Sequence, residues 1–275
     1  MLKGGKMYIF DSHVHIYPDK IAAKASESIS NFYDLNVIYD GSISQLMQAC
    51  DKAGVNRCLV HSVATTKEQV QKINDFIAGS VNKYPDMFVG FGSLHPSMTQ
   101  KEADEEIRRM IDMGLLGIKL HPDFQYFNID DKCAMELYEA VDNRLPILFH
   151  TGDKRFTYST PSRLANAAKQ FPEQKVIAAH LGGYSEWNDA VKYLSDLENV
   201  YVDTCSSLAF ISPQEAKRCI DAFTEDKVFF ATDYPMWSPS DEIERINRID
   251  LTDTAREKIF YKNICRFLGM EIPNK

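Results

Sequence analysis

The chain has 275 residues, 44% of them hydrophobic and 25% charged, with 31 lysines and arginines against 39 aspartates and glutamates and a net charge of -8. That balance suits a folded soluble chain rather than a disordered one, and its scattered cations leave no basic footprint for nucleic acid. No apolar run approaches the roughly 20 residues that span a bilayer, and YIF, after the opening MLKGGKM, is too short for a signal-peptide core.

In chain order, eight short runs are dense in Val, Ile, Leu and Phe: YIFDSHV, RCLVHSV, MFVGFGSLH, GIKLH, PILFH, KVIAAH, VYVDT and KVFFATD. Strands buried on both faces have this composition. Helix signals lie between them. Ser42 to Gln45, Thr99 to Glu102 and Ser212-Pro213-Gln214-Glu215 match capping boxes, and Thr160-Pro161 marks another start. Residues 17 to 41 form the one long connection, read as a loop of the kind that makes lids or substrate walls.

Strand and helix alternating eight times over this length predict a single-domain α/β fold, a (β/α)8 TIM barrel over residues 1–275. A doubly wound sheet commonly carries GxGxxG after its first strand, and none is present. The six cysteines, at 50, 58, 133, 205, 219 and 265, form no CxxC pair. Most sit in apolar surroundings such as RCLV and NICRFL, as reduced residues of a cytoplasmic protein would.

The histidines carry the functional signal. His13 and His15, two apart on an extended strand, project to one side. That suits a pair of metal ligands, although a strand can also simply end in polar residues. His61, His95, His121, His150 and His180 fall late in, or at the end of, the next five strands, and no histidine falls in a predicted helix. In a (β/α)8 barrel the C-terminal strand ends converge on one mouth, where active sites are built. Asp233, in Phe229-Phe230-Ala231-Thr232-Asp233-Tyr234-Pro235, reads in isolation as a helix N-cap. Across a barrel mouth from two imidazoles it becomes a candidate ligand, in a donor set that suits zinc and other divalent ions.

DSHVH, GIKLHP, FHTG, AHLGG and ATDYP, with the closing IFYKNICRFLG, resemble the amidohydrolase superfamily. The match is to its amidohydrolase-related branch, which holds aminocarboxymuconate semialdehyde decarboxylase, aromatic acid decarboxylases and lactone hydrolases. The resemblance implies one divalent metal, zinc preferred, held by His13, His15, His150 and Asp233, with His180 and Asp233 catalytic. It also allows a second metal if Lys119 is carboxylated, and a homodimer.

The expected partner is a small-molecule substrate, with no nucleic acid and no membrane. Lys119, His121, Lys154, Arg155 and Trp237 are its candidate contacts, with Phe124 and Tyr126 as weaker aromatic ones. A lysine and an arginine beside FHTGD could grip a substrate carboxylate, and equally could be a solvated loop. Lys119 could equally bond to His121 or a neighbouring loop. His61 and His95 are expected to bond backbone or water at the rim, and Asp11 to orient a ligand or satisfy loop amides.

Two activities share every one of these motifs. The first expectation is metal-dependent hydrolysis of an amide, lactone or ester bond in a small carboxylated molecule. The alternative is nonoxidative decarboxylation of an aromatic or muconate-type acid. A barrel that binds metal or ligand without catalysis ranks last, because every implied ligand and the acid are present.

Overall fold

A computed structural model describes residues 7–273; the reading of MLKGGKM falls almost wholly outside the described residues. The strands are β1 (Phe10–His15), β2 (Arg57–His61), β3 (Phe88–Ser93), β4 (Gly117–Leu120), β5 (Ile147–Phe149), β6 (Val176–Ala178), β7 (Val200–Asp203) and β8 (Val228–Phe229). All eight runs expected to be strands overlap one. Between them lie α1 (Asp19–Tyr33), α2 (Ile43–Ala53), α3 (Val70–Lys83), α4 (Gln100–Asp112), α5 (Pro122–Gln125) and α6 (Lys132–Val141). The rest are α7 (Pro161–Gln170), α8 (Trp187–Leu194), α9 (Pro213–Phe223), α10 (Pro239–Asn247), α11 (Asp253–Glu257) and α12 (Asn263–Phe267).

The strand order is β1 through β8 in sequence, and Val14 bridges Tyr234 in parallel just past β8. The fold is the expected (β/α)8 barrel. No helix among the described residues is long and apolar enough to cross a membrane.

The chain packs as two compact units, one running through Leu59 and resuming at Thr204, the other spanning Val60–Asp203. In the first, β1 is buried along its whole length. Helix α9 buries Ala216, Cys219, Ile220 and Phe223, an i, i+3, i+4, i+7 stripe. Ser212 and Glu215 close the expected capping box on it. At α2 only half of the expected box forms: Ser42 accepts from the Gln45 amide, but the Gln45 side chain turns to Asp40. Residues 17 to 41, expected as a loop, instead contain α1. It buries only Ala22 and Ser26, although Ile21, Ala25, Ile29 and Phe32 recur at helical spacing.

In the second unit, parallel pairing runs from β3 to β7. Phe91 pairs in register with Gly117, and a Cβ at 117 would lie 2.4 Å from the Phe91 ring, so the glycine is what lets that ring lie flat on β4. Thr99 and Glu102 form the full capping box of α4. The buried Glu106 on α4 is answered by Arg109 and Asn74, both at 2.6 Å, as a carboxylate out of water must be. No disulfide forms among the six cysteines, and Cys133 is the exposed exception to their burial.

Candidate metal centre and histidine pair

In the first unit, the extended backbone of β1 places His13 and His15 on one side while Val14 turns into the core, fully buried. Their Nε2 atoms lie 3.3 Å apart. Beyond β8 the chain adopts a left-handed turn at Asp233 (φ 60°), a conformation that aspartate tolerates better than most residues. The Asp233 amide donates to His13 O (2.9 Å), and Asp233 O accepts from Met236 N (2.9 Å), which fixes the turn. The carboxylate is thereby delivered to the imidazoles, with Oδ1 3.5 Å from His13 Nε2 and 3.4 Å from His15 Nε2.

Three donor atoms 3.3, 3.4 and 3.5 Å apart form a nearly regular triangle. Ligands about 2.1 Å from a tetrahedral zinc ion lie about 3.4 Å from one another. The triangle therefore fits a divalent cation in both donor chemistry and spacing.

The surroundings orient two of the donors, His13 and Asp233. The His13 Nδ1 lies 3.3 Å from Cys205 Sγ; with a proton on Nδ1 the thiol sulfur accepts it, and Nε2 keeps its lone pair for the ion. Asp11 Oδ1 accepts from the amides of Thr232 (3.0 Å) and His13 (3.3 Å), while Oδ2 accepts from Thr232 Oγ1 (2.6 Å). It thus satisfies amides on both segments that carry ligands. Ser206 Oγ donates to Asp233 Oδ2 (2.6 Å), leaving Oδ1 to the imidazoles. Trp237, expected to contact substrate, gives its indole N–H to Ser206 Oγ (2.9 Å).

The second unit holds a different cluster. His121 caps the short α5, and its amide donates to Gln125 Oε1 (2.9 Å). The Gln125 amide group donates in turn to Ala64 O and Leu94 O (2.8 Å each), tying together the segments that follow β2, β3 and β4. Lys119, on the same strand face as His121, is 1% exposed, and a buried lysine side chain is rare without an electrostatic partner.

His150, just past β5, has its Nδ1 2.9 Å from His180 Nε2 and its Nε2 3.2 Å from Asp123 Oδ2. Asp123 Oδ2 also accepts from Ser159 Oγ (2.6 Å). His180 and Leu181 are consecutive left-handed residues (φ 64° and 51°), an arrangement that persists only where its surroundings over-determine it. Asp203 supplies this: its Oδ1 accepts from His180 N (2.9 Å) and its backbone O from Leu181 N (2.6 Å).

His121, Asp123 and His150 are close enough to suggest a metal set of their own. Geometry excludes it. The two imidazoles stack at 6° with centroids 4.0 Å apart, so no single ion can lie in both ring planes, where the nitrogen lone pairs point. The stack continues onto Phe124 at 3.8 Å, which places that expected aromatic contact against His121, whereas Tyr126 is 75% exposed.

Glycine 152 of FHTGD adopts φ 79°, and a Cβ there would meet the Tyr184 amide nitrogen at 2.6 Å. It permits the close pairing in which Tyr184 N donates to Thr151 O (2.8 Å), joining the loops after β5 and β6. The two expected cationic contacts next to it differ. Both are exposed, but Arg155 forks onto Asp153 through Nε and Nη2 at 3.0 and 2.7 Å, so a substrate carboxylate would compete with Asp153 for it. His95 bonds Ser97 Oγ (2.7 Å), and burial holds its imidazole below the usual range. His61, expected at the rim, is instead fully buried.

Ser206, Cys205, Asp123, Gln125 and Asp203 were not signalled as site residues by the motifs. The run Asp203-Thr204-Cys205-Ser206 follows an apolar strand just as Thr232-Asp233 does, and that parallel was the available clue.

The sequence pattern of the amidohydrolase family matches residues 10–270. A 2-amino-3-carboxymuconate-6-semialdehyde decarboxylase of Dictyostelium discoideum is 26% identical, over 74% of this chain and 67% of its own. A 5-carboxyvanillate decarboxylase from Sphingomonas paucimobilis superposes with a TM-score of 0.76 at 15% identity, covering 97% of this chain and 100% of that one. A dihydroxybenzoic acid decarboxylase from a Polaromonas species, solved with bound manganese and the inhibitor 2-nitroresorcinol, gives 0.74 at 17% identity, covering 96% and 97%.

Proposed function

The chain belongs to the amidohydrolase family, and on that premise we propose that it is a metal-dependent nonoxidative decarboxylase of a small aromatic or unsaturated carboxylic acid. The observation that carries the proposal is the His13–His15–Asp233 triangle, found in a chain whose curated relatives include a protein named as a decarboxylase. Hydrolysis, the first expectation from the sequence, has less support, because the three similar proteins described above are named as decarboxylases. His150, the fourth ligand that the resemblance implies, instead meets His180 through Nδ1 and Asp123 through Nε2, so the proposed metal set is His13, His15 and Asp233. The expected zinc is broadened to a divalent ion of the zinc and manganese class, since a structural neighbour was solved with manganese.

A bound divalent ion supplies positive charge that orients the substrate's carboxylate or adjacent hydroxyl. The chain's own residues do the remainder. His13, His15 and Asp233 hold that charge in place, and Asp11 and Ser206 keep the holders oriented. His180 is the proposed acid: as the bond from ring carbon to carboxylate carbon breaks, the electron pair left on the ring carbon takes a proton from His180, and CO2 leaves. Its contact with His150 Nδ1 (2.9 Å) holds the ring for that transfer. Lys119, 1% exposed, is proposed as a substrate contact, neutral or charged.

The test is CO2 release from hydroxybenzoate-type and muconate-type acids by metal-loaded protein, run beside a panel of lactones and amides, with metal content measured by mass spectrometry. Release of CO2, lost in His180→Asn with the metal retained, is the expected result. Turnover of lactones alone would return the reading to hydrolysis, and full activity in His180→Asn would remove that residue's role.

A further inference from the structure

The two oxygens of Asp233 are not equivalent. Oδ1 faces His13 and His15, whereas Oδ2 is taken by Ser206 Oγ at 2.6 Å, and the Ser206 hydroxyl accepts the Trp237 indole N–H at 2.9 Å. The indole is itself held: the Arg245 guanidinium sits 5.3 Å from its ring and Phe210 meets it edge-on at 5.6 Å. Ser206 occupies a left-handed backbone position (φ 46°) that serine adopts only at a cost, yet the residue is buried there with its hydroxyl aimed at Asp233.

From this geometry we infer that Ser206 and Trp237 are positioning residues that hold Asp233 as a one-oxygen metal ligand. The hydroxyl has a single proton. Spent on Oδ2, it leaves the oxygen lone pairs open to the indole N–H, so the direction of both hydrogen bonds is set by the indole, which can only donate. With Oδ2 engaged, the carboxylate cannot turn to offer both oxygens to the ion, and a coordination position is left for substrate. Trp237 acts on Asp233 through Ser206.

The inference rests on the metal-site reading above, and the experiment separates the two. Metal affinity of the full chain is measured by chelator competition, with cobalt(II) as a second probe whose visible absorption reports coordination number. Ser206→Gly deletes the hydroxyl at a backbone position that glycine adopts freely, so the fold is spared. It is expected to weaken metal binding about 10- to 100-fold, in line with other residues that orient ligands, and to alter the cobalt spectrum. Trp237→Phe keeps an aromatic ring but loses the N–H. It should weaken binding less, and should add nothing in the Ser206→Gly background because the two act in series.

Unchanged affinity and spectrum in Ser206→Gly, while the wild type binds metal, would overturn the inference. Additive losses in the double variant would overturn the part assigned to Trp237. A wild type that binds no metal would overturn the site reading itself, and this inference with it.

Discussion

Glu242 offers a sharp test of the electrostatics in the first unit. It lies on α10, fully buried, with Oε1 paired to Arg245 and Oε2 without a hydrogen-bond partner among the described residues. Burial pushes its carboxyl up to about 8 from 4.5; Asp11 and Asp241 add to the rise, while Arg245 opposes it. A folded state that binds the proton more tightly than the unfolded chain has its full advantage below pH 4.5 and loses it as pH rises to about 8. At about 1.4 kcal/mol per pH unit the whole window is worth about 5 kcal/mol. Between pH 5.5 and 9 about 3 kcal/mol of that should be measurable.

Glu242→Gln replaces the acid with a neutral isostere that does not titrate. Urea denaturation at pH 5.5, 7, 8 and 9, with chelator present so that metal binding contributes nothing, should show the wild type falling behind the variant by about 3 kcal/mol across the range. Parallel stability curves would refute the reasoning and would mean that Arg245 keeps Glu242 charged in the folded protein throughout.

Two further outcomes are expected. Gly152→Ala places a methyl group 2.6 Å from Tyr184 N at φ 79°, so it should cost roughly 3 kcal/mol or more in a denaturation experiment; a loss under about 1 kcal/mol would mean the loops after β5 and β6 yield easily. Adding zinc or manganese to chelator-stripped protein at about 100 times its Kd should raise stability by about 2.7 kcal/mol. His15→Ala should abolish that increment, and an increment that survives would place the ion elsewhere.

What could be read in advance divides along physical lines. Strands announce themselves through composition, and the left-handed Asp233 and the paired histidines sit beside those strands, so their placement follows from local pattern and strand order. Helix α1 is legible in the three- and four-residue spacing of Ile21, Ala25, Ile29 and Phe32, and escaped because the stretch reads by its length as a connection. The half-formed cap at Ser42 could not be foreseen, because Gln45 has a better partner in Asp40, outside the four-residue signature. Ser206, Asp123 and Asp203 escaped for a related reason. Their roles depend on which segment the barrel brings beside them, and polar residues past a strand carry no mark of their eventual partner.

The hydrogen bonds that join the segment after β8 to β1 link distant parts of the chain: Thr232 and Asp11 are 221 residues apart. Bringing together ends so far apart costs about 5 kcal/mol in chain entropy. The three donors of the metal triangle come from the two sides of this seam, His13 and His15 on one and Asp233 on the other. An ion held there would therefore work as a clasp on a hoop: part of its binding energy keeps the ring of strands shut, and stripping it away loosens the circle at the point where it was joined.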